Sequence, residues 1–270
     1  MPDFLIVAGL SLAVAVVVMT LTALVAARTG RVSVVDTAWG VALLAVAVGC
    51  AVWSGTWQSW MLVALVGVWA GRLSSHIFTR SRGHGEDPRY LAVLGGPLSE
   101  VGMGVAVRRV FLVQGAAVWL VSLPLQAAAV AGLAWTWVVW LGVAVWLVGA
   151  LVESVGDAQL SAYKRDPERG PVMDRGLWAW SRHPNYFGDS CVWWGIWTAG
   201  GLASGWLAGL ASVVAPVAMT VWLVWLTGAR LLERTMMKRP GYPEYAARTS
   251  MFVPLPPRRR CPGRTPGRDQ

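Results

Sequence analysis

Between Asp174 and Gly195 the chain reads D-R-G-L-W-A-W-S-R-H-P-N-Y-F-G-D-S-C-V-W-W-G, with arginines, a histidine, an asparagine, aspartates and tryptophans set against the start of an apolar segment. Pro184 suits the first turn of a helix, where its missing N–H is not needed. A helix starting there carries Asn185, Asp189 and Trp193 at i, i+4 and i+8, on one face. Three other segments carry polar groups at helical spacing: Arg72, His76 and Arg80; Glu153, Asp157 and Lys164; Arg230, Glu233 and Arg234. Asp36 adds a carboxylate just ahead of Trp39-Gly40. Any one stripe alone fits a snorkelling, interfacial face. Four on the same side fit the wall of a polar cavity open to the cytoplasm. Arginine suits phosphate, carboxylate suits ribose hydroxyls and asparagine suits a carboxamide, which together describe a nucleotide-cofactor pocket.

Other chemistries find less support. His76, His84 and His183 are not spaced as a zinc site, so no metal is expected. Cys50, Cys191 and Cys261 are scattered, which argues against a disulfide framework and fits small packing residues plus one tail thiol. Gly83-His84-Gly85 lacks the third glycine and the βαβ context of a dinucleotide fingerprint, which excludes a Rossmann domain. The loop Arg80–Tyr90 reads either as a solvated turn with internal ion pairs or as a ligand lid, with Glu86-Asp87-Pro88 placed to cap the next segment.

These stripes need helices in a membrane to hold them. The 270 residues are 56% hydrophobic and only 14% charged, well below the quarter usual for a soluble domain. Apolar runs of about 17 to 25 residues are each long enough to cross a hydrocarbon core. The expected fold is all-α, a polytopic membrane protein with seven spans near 4–27, 38–54, 59–79, 107–125, 131–155, 185–203 and 206–229. Connections at 55–58, 126–130 and 204–205 carry no Lys or Arg; all 23 basic residues fall in or beside the alternate set. The positive-inside rule then puts the N-terminus outside and the C-terminus in the cytoplasm. The net charge of +9 follows from topology, and nucleic acid is not a needed partner. Arg dominance over Lys with abundant Ala and Val suggests a high-GC bacterial genome, so the expected location is a bacterial cell membrane, with the polar face cytoplasmic by the positive-inside rule. Residues 1–255 read as a single membrane domain, and 256–270 as a disordered basic tail. The 18 Trp read mainly as interface belts and packing.

The motif G-L-W-x-x-S-R-H-P-N-Y-F-G-D resembles the steroid 5-alpha-reductase superfamily. So do Glu153-x-x-x-Asp157 upstream and R-L-L-E-R-T-M, G-Y-P-E-Y and F-V-P downstream. With V-V-D-T-A-W-G and R-G-H-G-E-D-P-R-Y, the likeness is to its bacterial seven-span branch, the DUF1295 family, over about residues 30 to 255. The resemblance implies NADPH-dependent reduction of a lipid carbon–carbon double bond. It implies a substrate half at 1–130 and a cofactor half at 131–255. Asp157, Asn185 and Asp189 would contact NADPH, with Arg175, Arg182, Arg230 and Tyr245 as further cofactor contacts. Asp189 stands where many members have Glu, and Glu153 where steroid-reducing relatives have Asn. The substrate-end Glu and Tyr of the steroid enzymes have no clear match by motif. Candidates to polarise the substrate oxygen are His76, Arg72 and Tyr90, with Asp36 a nearby carboxylate.

Two rivals come from other classes. S-adenosylmethionine-dependent methyltransferases of the isoprenylcysteine or phospholipid type share the R-H-P-x-Y-x-G turn, but many carry Glu-Glu where this chain has Glu233-Arg234. A non-catalytic lipid-binding protein is the third reading. The substrate expected in either enzyme is a lipid drawn from the bilayer, and no obligate protein partner is evident.

Overall fold

The computed structural model describes residues 2–81, 83, 85–226 and 228–257. His84, Cys261 and the basic tail from residue 258 on lie outside them. The described chain is all-α, with a lone β-bridge between Ser181 and Ser250. Its helices are α1 (Pro2–Thr29), α2 (Val34–Ser54), α3 (Trp57–Ser81), α4 (Pro88–Leu94) and α5 (Met103–Val121). They continue as α6 (Leu123–Ala131), α7 (Thr136–Arg165), α8 (Pro184–Ala199) and α9 (Trp206–Ser212), then α10 (Val214–Val221), α11 (Ala229–Met236) and α12 (Tyr242–Arg248). Six stretches among the described residues are long and apolar enough to cross a membrane: α1, α2, α3, α5, α7 and Trp206–Met236. This is a multi-pass membrane architecture.

Two compact units divide the chain. The first holds Met1–Leu147 and Val192–Met219, the second Val148–Cys191 and Thr220–Gln270. In the first, α2 packs on both α1 and α3, and α6 packs on α1, α2 and α9. On α1, Val7, Ser11, Ala15, Met19, Thr22 and Ala26 are buried at helical spacing, while Leu5, Val17, Leu21 and Leu24 face outward. An outer face of Val and Leu is what hydrocarbon solvates. Gly55 closes α2 in the left-handed region (φ 64°), its N–H donating to Ala51, and no side chain would sit there without strain.

Residues 126–130, expected as a connection, are helical and lie inside α6. Pro124 explains the break: it cannot donate into the preceding turn, so α5 stops at Val121 and a new helix begins. Gln126, with no exposed surface, donates to Ser122 Oγ at 2.8 Å and so closes the corner. At the far end α7 runs to Arg165 rather than 155, about 45 Å of helix at 1.5 Å per residue. Glu153, Asp157 and Lys164 therefore share one continuous helix.

Candidate functional site

In the second unit, glycine lets two helices touch. A Cβ on Gly188 of α8 would lie 2.7 Å from the Gly149 carbonyl and against the Glu153 backbone of α7; one on Gly156 would lie 3.2 Å from Asn185 N. Only hydrogen fits at Gly188. The contact brings Asn185 Nδ2 to 3.0 Å from Asp157 Oδ1, joining two stripes that the spacing had put on separate helices. Glu153 and Asp189 are buried in the same unit. In the first unit Gly195 meets Trp146 and Gly142 meets Ala199 in the same manner. Gly142, Gly149 and Gly156 recur every seven residues on α7, and Gly188 and Gly195 do so on α8. That repeat was the sequence signal for the contact, and reading for polar stripes passes over it.

Arg182, just ahead of α8, donates through Nε and Nη2 to both Glu233 oxygens at 2.6 and 2.9 Å. Its Nη1 donates to the Ala246 and Thr249 carbonyls at 2.6 and 3.0 Å. His183 Nε2 lies 3.3 Å from Glu233, and the imidazole stacks on Tyr186 with centroids 5.6 Å apart. Tyr245 donates to the Trp178 carbonyl at 2.6 Å, and Ser181 Oγ to that of Phe252 at 2.7 Å. Gln159 accepts from Leu177 N–H at 3.0 Å, and Trp178 Nε1 donates to Gly156 at 3.0 Å. The segment 176–183 is thus stitched to both α7 and the stretch 245–252. Burial pushes the Tyr245 phenol up, and burial followed by the Glu233 charge pushes Tyr242 up to about 12.

A cavity of about 850 Å³ opens in this unit, bounded by the end of α7, the loop 166–176 and α12. Arg169, Arg175 and Arg248 line it with four carboxylates: Asp166, Glu168, Asp174 and Glu244. Tyr163 and Tyr245 supply aromatic wall, and Arg248 is paired with Asp174. Of the residues expected to hold a cofactor, Arg175 and Tyr245 line this cavity; Asp157, Asn185, Asp189, Arg182 and Arg230 are not in its lining. Arg230 is exposed on α11, its guanidinium 5.8 Å above the Trp225 ring.

The first unit holds a second cluster. Tyr90, at 8% exposure, donates its hydroxyl to Asp36 Oδ1, although 54 positions separate them. Arg89 Nη2 donates to Asp36 Oδ2 at 3.1 Å and to Asp87 Oδ2 at 2.9 Å. Asp87 also caps α4 by accepting from Arg89 N at 2.8 Å, with Pro88 in the first turn, as the Glu-Asp-Pro pattern predicts. Glu86 accepts from the Val32 and Ser33 N–H groups, fastening the loop to the entry of α2. Burial and then the Asp36 charge push the Tyr90 phenol well above its usual range. The bond to Arg89 holds the Asp87 carboxyl below its usual range. Arg72 and His76 sit partly buried on α3, either side of Ser74, which donates to the Thr37 carbonyl beside Asp36 at 2.8 Å.

Residues 22–249 match the family described as proteins of unknown function, DUF1295. The chain belongs to that family. The matched region takes in both clusters and the cavity. No curated protein and no solved structure matches the chain. Among the described residues of this DUF1295 chain, no three His, Cys, Asp or Glu side chains are grouped to hold a metal ion.

Proposed function

We propose that this chain is a seven-span, NADPH-dependent reductase of an activated carbon–carbon double bond in a membrane lipid, such as an enone of steroid or isoprenoid type. The observation that carries the reading is the Asp36–Tyr90 pair. A buried phenol whose hydrogen rests on a carboxylate can turn that hydrogen to a substrate oxygen, and double-bond reduction uses such a donor. Methyl transfer does not. The steroid enzymes of the superfamily use a Glu and a Tyr at the substrate end, and Asp36 with Tyr90 is the corresponding chemistry here.

The cavity of the second unit fits a dinucleotide in its donor set. Its volume of about 850 Å³ falls in the range of ligand pockets, roughly 300–1,000 Å³. Arg169 and Arg175 suit phosphate, Asp166 and Glu168 suit ribose hydroxyls, and Tyr163 offers a face to a base. Bound NADPH would supply hydride to the β-carbon of the alkene. The chain's own part is proton handling. Tyr90 would turn its phenol hydrogen from Asp36 to the substrate carbonyl, stabilising the enolate oxygen that hydride addition leaves, and a proton from solvent would then go to the α-carbon. Asp36, steadied by Arg89, orients that hydroxyl.

For topology, the seventh crossing in this reading is the expected span 185–203, of which α8 forms about 24 Å at 1.5 Å per residue and the turn through 200–204 the remainder. Exposed tryptophans support one interface at the ends free of basic residues: Trp53, Trp57, Trp60, Trp137, Trp140 and Trp206. With the basic loops at the other ends, the N-terminus lies outside and the polar clusters face the cytoplasm.

One observation favours a second reading. Carboxylates outnumber guanidiniums in the cavity, Asp166, Glu168, Asp174 and Glu244 against Arg169, Arg175 and Arg248. That balance suits the sulfonium and ammonium of S-adenosylmethionine better than a polyanion, and a lipid methyltransferase is the function it would serve. Calorimetry of the detergent-purified protein with NADPH, NADH and S-adenosylmethionine separates the two. Selective NADPH binding, weakened in Arg175→Ala, supports the reductase; S-adenosylmethionine binding without NADPH binding overturns it.

A further inference from the structure

Helix α11 has two faces with different obligations. Ala229 is fully buried and Glu233 is held by Arg182 and His183, so this side is turned into the second unit. The other side carries Arg230, Arg234 and, in the turn that follows, Lys238, spaced i, i+4 and i+8, with Arg239 next. All four are exposed. Between them Leu231, Leu232 and Met237 are also exposed, at 46%, 42% and 46%. Trp225 is half exposed and lies under the Arg230 guanidinium. The one carboxylate of α11 points the other way, so the stripe is not neutralised from its own helix.

Water alone does not account for cations interleaved with bare Leu, Met and Trp. The combination matches the boundary between acyl chains and headgroups, where apolar side chains enter the lipid and Lys or Arg reach back to phosphate. The helix closes the apolar stretch Trp206–Met236, which puts it at that depth.

We propose that the face formed by Trp225, Leu231, Leu232 and Met237 with Arg230, Arg234, Lys238 and Arg239 is a docking surface for anionic phospholipid headgroups, the four cations facing phosphate. The surface is independent of the reaction proposed above. A bilayer charge attracts each nearby cation appreciably, and the attraction falls off within a Debye length.

The test places a photo-crosslinking benzoylphenylalanine at Leu231 of the full chain in nanodiscs of equal phosphatidylglycerol and phosphatidylcholine, with adducts read by mass spectrometry. The ratio of phosphatidylglycerol to phosphatidylcholine adducts should exceed the bilayer ratio by at least about fivefold, the effect of one well-placed cation. The excess should fall with added salt and disappear in R234Q/K238Q/R239Q, while millimolar inorganic phosphate leaves it intact. Circular dichroism checks that the triple variant keeps its helix, and the salt series needs no variant at all. Adducts at the bulk ratio in the unaltered stripe, an excess that survives the triple substitution, an excess removed by free phosphate, or adducts to protein instead of lipid would each overturn the proposal.

Discussion

In the second unit Arg182 and Tyr245 donate to backbone carbonyls of Ala246, Thr249 and Trp178, whereas in the first unit Asp36, Tyr90 and Arg89 meet one another through side chains. The contrast separates two uses of charge in a membrane protein. A guanidinium that satisfies carbonyls and a half-buried carboxylate closes the chain on itself, and its removal leaves several groups short of a partner at once. A phenol and carboxylate that face each other can exchange partners with a ligand at little cost to the backbone. The first kind shapes a site, and the second kind acts in one.

If that division holds, the largest effect belongs to Tyr90→Phe. It should lower the reduction rate by about 10²–10⁴-fold, the range for losing a positioned proton donor, while NADPH affinity stays unchanged and stability falls only by the roughly 1–3 kcal/mol of one hydrogen bond to a carboxylate. An active Tyr90→Phe would remove the first cluster from the chemistry. Arg182→Ala should behave in the opposite way, with a stability loss of roughly 1–3 kcal/mol, because half-buried Glu233 keeps only His183 and the Ala246 and Thr249 carbonyls lose their donor. Thermal unfolding in detergent measures it, and a stable variant with impaired cofactor binding would move Arg182 from the architecture to the site. Gly188→Leu drives a side chain into the backbone of α7, and overpacking of that kind costs about 1–3 kcal/mol or more. The loss should appear in the same unfolding assay, and a wild-type midpoint would deny the close approach. Tyr245→Phe is the mildest test, about 0.5–1.5 kcal/mol for one hydrogen bond. A larger loss of cofactor affinity than of stability would show that Tyr245 works mainly as cavity wall.

Much of this was legible in the residues. Pro184 opens α8 as its position predicts, and Asp87 caps α4. Asn185 and Asp157 were expected on the wall of one polar cavity; they share a hydrogen bond but do not line the cavity found. The corner at Ser122–Pro124 was harder to read. Pro124 sits in a largely apolar stretch broken only by Ser122 and Gln126, and hydropathy does not distinguish a crossing from a buried short helix. The engagement of Arg182 could not be anticipated either, because its partners lie 51 to 67 positions away.

The sequence alone determined the class of the protein: long apolar helices, charges gathered at alternate ends, and an all-α architecture. Those properties are local, since a run of apolar residues or a helical period needs nothing beyond its own segment. Only the tertiary structure decided which charges meet. Tyr90 reaches Asp36 because Glu86 pins the intervening loop to the start of α2. Asn185 reaches Asp157 because glycines remove the side chains that would hold α7 and α8 apart. Such pairings depend on packing between segments distant in the chain; the glycine repeat marks a face for close approach, but spacing does not say which helix meets it.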